Sequence, residues 1–227
     1  MKGIVIFIGP PGAGKGSLAH MCVKQLGWIQ LSTGNLCRKH IIEQTKIGKE
    51  IDFAIKSGNL VSDALITSMV EEWLTQECDK QPVVILDGFP RTAEQAKLLN
   101  NLVEDRFKSL AIQIVTLNIP DSVLVDRLSS RIICQNKDCQ AVYSLAEGSL
   151  LRPAQDMICD FCASALGRRK DDEYEAVKER LAVYRRHEHE LLAFYTDNEQ
   201  PVIQLNVAQP LTDVFKEFQC MIGLESI

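Results

Sequence analysis

The stretch Gly9-Pro10-Pro11-Gly12-Ala13-Gly14-Lys15-Gly16-Ser17 constrains this chain more than any other. It follows the apolar run Ile4-Val5-Ile6-Phe7-Ile8 and leads into Leu18-Ala19-His20-Met21, where helical spacing begins. A strand with no polar position is buried on both faces, as in a parallel sheet covered by helices. Glycines in the turn let backbone N–H groups converge on an anion with no side chain in the way. The helix behind them points its positive end at the same place. Lys15 adds a point charge long enough to reach the outer phosphates. A glycine-rich turn can be purely structural. Strand, loop, lysine and helix in this order instead predict phosphate binding by Gly12, Ala13, Gly14, Lys15, Gly16 and Ser17.

Four further segments rich in β-branched residues, 28–31, 83–86, 112–117 and 202–205, alternate with helical patterns. With the first strand they predict a doubly wound α/β core of five parallel strands, of the P-loop NTPase type. Two stretches break the alternation. Residues 32–61 are helical in pattern, and 132–167 have poor periodicity, the paired cysteines, Gly148 and Pro153. Both read as insertions, which divides the chain into a core (1–31, 62–131 and 168–227), a helical insertion (32–61) and a second insertion (132–167). Helical patterning resumes at Asp171, whose charge and that of Asp172 suit a helix N-terminus, and a long helix is expected over 173–195.

A chain of 227 residues has room for such a core without disulfides. Its 46% hydrophobic and 24% charged content excludes a disordered or fibrous chain. A net charge of −5 gives no support to broad nucleic-acid binding. No apolar run approaches the ~18 residues of a membrane span. Met1-Lys2-Gly3 runs straight into the first strand with no cleavable leader, so a cytoplasmic protein with reduced thiols is expected. Of the eight cysteines, Cys22, Cys37, Cys78 and Cys220 are scattered and read as small buried apolar residues. Cys134 and Cys139 enclose four residues, and Cys159 and Cys162 enclose two. Two close thiolate pairs suit a tetrahedral Zn²⁺ that ties together an insertion too small for its own core. A metal-free remnant, a redox pair, or another soft metal are the alternatives.

Leu86-Asp87-Gly88-Phe89-Pro90-Arg91-Thr92 closes a buried strand, so it lies at the carboxyl edge of the sheet, where ligands bind in open α/β folds. Thr33 and Arg38, a little over one helical turn apart, can face one ligand, and an arginine pairs bidentately with a phosphate dianion. Arg127 and Arg131 are four apart in a helix expected to start near Asp121, and so share a face.

The Gly14-Lys15-Gly16-Ser17 ending places glycine where P-loops commonly carry a hydroxyl residue. It resembles the nucleoside monophosphate kinases, and the remaining motifs resemble the adenylate kinase family over essentially the whole chain. The resemblance implies reversible in-line transfer, MgATP + AMP to 2 ADP, under a closing lid, by a monomer. It implies that Thr33, Arg38, Asn59, Val61, Gly88, Arg91, Gln95, Arg169 and Arg180 bind AMP. Gln95 would read the base, because a carboxamide matches the N1 and 6-amino edge of adenine. Thr33 and Gln95 together distinguish the pattern from pyrimidine-monophosphate kinases. Asp87 would act through hydrated Mg²⁺, and Arg127, Tyr143 and Gln209 would join the phosphate loop in binding ATP. Lys15, Arg91, Arg131, Arg169 and Arg180 would carry catalysis, with Asp171 and Asp172 holding two of the arginines. The cysteines fall in the lid, resembling bacterial members that usually have two residues inside the first pair. Ser62-Asp63-Ala64, Tyr174 and Ala176 depart from the family pattern. A regulatory module that binds ATP and zinc without catalysis is the rival of a different class. It would have no use for so many arginines, and for positioning and charge neutralisation together.

Overall fold

Ile4, Ile6 and Ile8 face one side of β1 (Gly3–Ile8), Val5 and Phe7 face the other, and all five are buried. That alternation, inside a run with no polar residue, commits the strand to the middle of a two-sided core. A computed structural model describes residues 2–56, 61–169 and 172–224. After β1 come α1 (Lys15–Leu26), β2 (Ile29–Ser32), α2 (Thr33–Ile42), α3 (Lys46–Lys56) and α4 (Asp63–Glu77). Next are β3 (Val83–Asp87), α5 (Ala93–Arg106), β4 (Ala111–Asn118) and α6 (Asp121–Ser129). The chain continues with β5 (Arg131–Cys134), β6 (Val142–Ser144), β7 (Leu166–Gly167), α7 (Tyr174–Asp197), β8 (Val202–Asn206) and α8 (Leu211–Met221).

Five parallel strands lie in the order β2-β3-β1-β4-β8. On one face Ile4, Ile6, Leu86 and Ile114 pack with Leu74 of α4, Leu99 of α5 and Leu191 and Tyr195 of α7. On the other, Val5, Phe7 and Ile85 pack with Leu18 and Cys22 of α1 and Phe215 and Phe218 of α8. Phe218 meets Phe7 edge-on at 5.5 Å and Trp28 at 6.1 Å. The expected doubly wound sheet is present. Its register sets the site: Asp87 lies beside Phe7 on one side and Ser32 on the other. The loops that follow β1, β2 and β3 therefore leave the sheet at one level. None of the described helices is long and apolar enough to cross a membrane.

Three expectations need correction. Arg131 does not continue the helix of Arg127, because α6 ends at Ser129 and Arg131 opens a strand. Ser129 and Ser130 both turn their hydroxyls back onto the Asp126 carbonyl, which suits a helix end. The stretch 132–167, which shows no periodicity, contains an antiparallel sheet in the order β6-β5-β7. Strands of four, three and two residues are too short for alternation to show in sequence. Finally, Cys220 is exposed rather than buried.

Between β2 and α4, α2 and α3 cross closely. Thr45 accepts from the Gly48 N–H (2.9 Å) and so caps α3. A Cβ on Gly48 would overlap the backbone carbonyl of His40, so only glycine fits the crossing. Gly48→Ala would gain about 1 kcal/mol of helix propensity. It would lose about 1–3 kcal/mol to overpacking, since the opposing atom is backbone and cannot rotate away. The overlap should win, and Tm should fall by a few degrees. A raised Tm would show that the two helices separate freely.

Candidate active site

Gly14, at φ 94°, ends the phosphate loop as the N-cap of α1. No side chain caps this helix, and its first turn has no acidic residue, so its N–H groups remain available to an anion. Gly12 is also left-handed (φ 88°), and an added Cβ would press on Leu128. Ala13 is buried, with its N–H on the Pro10 carbonyl (3.1 Å). Lys15 folds over this loop and donates to the carbonyls of Gly9 (2.6 Å) and Pro10 (3.0 Å). Burial pushes its pKa from 10.5 down to about 8; Asp87 opposes the shift, while Arg91, Arg180 and Arg131 add to it. One lysine thus senses charges from β3, the loop after β3, β5 and α7.

At the end of β3, Asp87 accepts from Gln30 through Oδ2 (3.1 Å), and Gly16 lies close enough that a Cβ would sit 3.5 Å from the same oxygen. Gly88 has φ 82°, and a Cβ there would come within 3.0 Å of Thr33 Oγ1 and 3.1 Å of Arg91 Nη2. Close approach explains the glycine. Thr33, buried at the start of α2, donates to the Gly88 carbonyl (2.9 Å), and so does Arg91 Nε (2.8 Å). Gln95 is buried in the first turn of α5; its Oε1 accepts from the Arg91 N–H (2.8 Å) and its Nε2 donates to Asp63 (2.7 Å). The pairing of Asp63 with Gln95 is not marked by any sequence motif. Val61 is half-buried. Asn59 and Asp171 lie outside the described residues.

Of the two aspartates expected to hold arginines, the structure describes Asp172. Its carboxylate, with a side chain 3% exposed, accepts from both Nε (2.7 Å) and Nη2 of Arg131 and from Nη1 of Arg180 (3.3 Å). Arg169 precedes this junction, and its carbonyl accepts from the Asp172 N–H (3.1 Å). Arg127 spans the other end of the site, donating to the carbonyls of Ala13 (3.4 Å) and Val207 (2.7 Å). Gln209 lies in the same turn, with its amide on the Asn206 carbonyl (3.2 Å) and the Glu217 carboxylate.

In the lid the four sulfurs of Cys134, Cys139, Cys159 and Cys162 lie within 4.8 Å of one another. The closest pairs, Cys134–Cys162 and Cys139–Cys159, are 3.4 and 3.7 Å apart. Zn–S bonds of about 2.3 Å in a tetrahedron place sulfurs about 3.8 Å apart, so the donor set fits that ion. All four positions come from protein, as in a structural site. Ser164, through its hydroxyl and its backbone N–H, pulls the Cys162 thiol down to about 6, whereas burial pushes Cys134 up to about 12. Tyr143 packs against this cluster. It is 4% exposed, its hydroxyl accepts from the Asp160 N–H (2.7 Å), and that oxygen lies 3.4 Å from Cys159 Sγ.

The lid rests on α2. Lys137 pairs with Glu43 (2.8 Å), Asp138 with Lys39 (3.0 Å), and Arg38 Nε donates to Gln140 Oε1 (3.2 Å). Phe161, between the second pair of cysteines, meets His20 of α1 at 5.3 Å. Sequence alone carries no signal for these contacts, which join segments about a hundred residues apart.

An open helix terminus, a lysine across it and arginines gathered from distant segments define a P-loop protein built to hold and transfer phosphoryl groups. The adenylate kinase family model matches residues 7–200. Curated relatives named adenylate kinase include that of Treponema pallidum (strain Nichols), 37% identical over 94% of this chain and 95% of the relative. That of Thermosipho africanus (strain TCF52B) is 34% identical over 94% and 96%, and that of Methanosarcina barkeri 33% over 96% and 97%. The chain belongs to the adenylate kinase family, nucleoside monophosphate kinases that move a phosphoryl group between ATP and AMP.

Two outcomes follow from the ionisation and packing of the site. A polyphosphate favours the charged form of Lys15, so ATP binding at pH 8 should take up about half a proton. Calorimetry in buffers of different ionisation enthalpy reads this, and Lys15→Arg should abolish it. Below pH 6.5 the uptake should vanish, and above pH 8 ATP affinity should decline. In the free protein the unfolded chain keeps this proton up to 10.5, so this group's contribution to stability rises between pH 8 and 10.5. Separately, Cys134 and Cys159 are two of the five buried residues in the lid core. Removing bound metal with a strong chelator should therefore lower Tm and open 132–167 to proteolysis, and Zn²⁺ should reverse both. An unchanged melt would count against a structural metal.

Proposed function

We propose that this chain catalyses MgATP + AMP to 2 ADP by direct in-line transfer, with the residues of one cleft dividing the work. The convergence of Arg91, Arg131 and Arg180 on Lys15 beside an uncapped helix N-terminus carries this reading. Phosphoryl transfer leaves a protein little covalent chemistry to do, so placed positive charge supplies most of the rate. No nucleophile or general base is required of the protein. The N–H groups of 12–17 and Lys15 hold the β- and γ-phosphates of ATP, and Arg127 and the turn at Gln209 border its adenosine. Tyr143, packed against the lid sulfurs, joins Arg127 in binding ATP. Thr33, Arg38, Gly88 and Arg91 hold AMP, and Asn59, Val61 and Gln95 enclose its base. Arg131, Arg169 and Arg180 meet the phosphoryl group in transit.

Asp87 fits a hydrated Mg²⁺. Among the described residues it is the carboxylate that acts on Lys15, and one acidic group suits an ion that keeps its water shell. When bound, that ion neutralises charge on the β- and γ-phosphates. The insertion 32–61 and the lid 132–167 act as movable parts on the core, and the contacts of Lys137, Asp138 and Gln140 with α2 support closure of one onto the other. Closure excludes water and so protects ATP from hydrolysis. The chain is read as a monomer. Four thiolates that must stay reduced to hold Zn²⁺ support a cytoplasmic setting.

The test offers purified protein MgATP with AMP, GMP, CMP or UMP in separate reactions. ADP should appear rapidly only with AMP, and Gln95→Ala should raise the KM for AMP far more than that for ATP. Comparable turnover with a pyrimidine monophosphate would overturn the acceptor assignment, and equal losses for both substrates would overturn the role of Gln95.

A further inference from the structure

The Gln95 carboxamide can face a base in two ways. One orientation offers a donor to N1 and an acceptor to the 6-amino group of adenine; the reverse suits a 6-oxopurine, which has N1–H and a carbonyl at C6. A carboxamide free to rotate would adopt either orientation. Here both ends are held. Nε2 donates to Asp63 Oδ1 (2.7 Å), and Oε1 accepts from the Arg91 N–H (2.8 Å). A carboxylate only accepts and a backbone N–H only donates. Turning the amide over would set oxygen against oxygen and N–H against N–H, leaving buried groups unpaired.

Asp63 is itself fixed. It opens α4 directly after the Ser62 cap, where the helix dipole favours its charge, and its Oδ2 accepts from Thr92 Oγ1 (3.2 Å). Thr92 in turn accepts from the Gln95 N–H (3.1 Å) as the cap of α5. Two helix N-termini thus clamp one amide. One Nε2 hydrogen and one Oε1 lone pair remain beyond these contacts, a donor and an acceptor fixed in position, which an adenine edge can pair with.

We propose that Asp63 is a specificity-determining positioning residue, which locks Gln95 so that the acceptor site takes a 6-aminopurine monophosphate and refuses a 6-oxopurine one. This rests on the reading that Gln95 faces the AMP base. In Asp63→Asn the neighbour can donate or accept, so the Arg91 N–H is left to oppose a turn of the amide, and the lock is weakened.

The experiment compares kcat/KM for AMP and for inosine monophosphate, which lacks the 2-amino group and so isolates the N1 and C6 edge. Asp63→Asn should lower the AMP-to-IMP ratio by about tenfold or more, with the KM for MgATP unchanged. Asp63→Ala gives a second reading of the ratio if the first variant folds poorly. A ratio unchanged in both, with AMP and ATP use falling together, would reduce Asp63 to a structural role. Gln95→Ala separates the two ideas. If it depresses AMP use selectively while Asp63→Asn keeps the ratio, only the role of Asp63 falls. If it depresses AMP and ATP use alike, the base reading falls and the proposal with it.

Discussion

Lys15, Arg91, Arg131 and Arg180 are cations brought together by a fold that has to overcome their mutual repulsion. Much else in the structure follows from that constraint. The repulsion and the burial of Lys15 appear in its weakened basicity, and two carboxylates moderate it. Asp87 acts on Lys15 from the end of β3, while Asp172 ties Arg131 to Arg180. Breaking one side of such a buried pair leaves an uncompensated charge, so these aspartates are as constrained as the cations they hold. A polyphosphate entering the cleft relieves the repulsion. Phosphate binding and the packing of these cations are therefore expressions of one electrostatic balance.

Much of the fold was legible because burial writes itself into sequence. Ile4 to Ile8 could only be a central strand, and the level ends of β1, β2 and β3 follow from the parallel register. The phosphate loop was legible for the opposite reason: glycines and a lysine in that order have few other uses. Arg131 was misplaced because spacing describes a helix only while the helix lasts, and α6 stops at Ser129. The packing of Tyr143 on the sulfurs was not legible, because nothing in its neighbours in sequence says which side of a three-residue strand faces them. The pairing of Asp63 escaped attention because its partner is thirty-two residues away and a first-turn aspartate already has a local explanation.

The lid shows how a segment with almost no apolar core can still hold a shape. Its buried cluster is Ile132, Cys134, Tyr143, Cys159 and Leu166, so sulfur takes the place that aliphatic side chains occupy elsewhere. Gln140 and Ala163, each one residue after the second cysteine of its pair, adopt left-handed conformations (φ 47° and 57°) that turn the chain back toward the sulfurs. The spacer between Cys134 and Cys139 then has a second use, since Lys137 and Asp138 are the residues that reach α2.

The lid leaves the core at Arg131 and returns toward it through β7 and Arg169 to Asp172. A panel attached at two edges ordinarily turns on two independent bearings. Here both edges run through one carboxylate, which also grips an arginine of the core helix α7. One carboxylate thus joins an arginine at the edge of the lid to an arginine of the core. Whatever displaces that carboxylate disturbs both guanidinium groups at once, so the two cannot be altered independently.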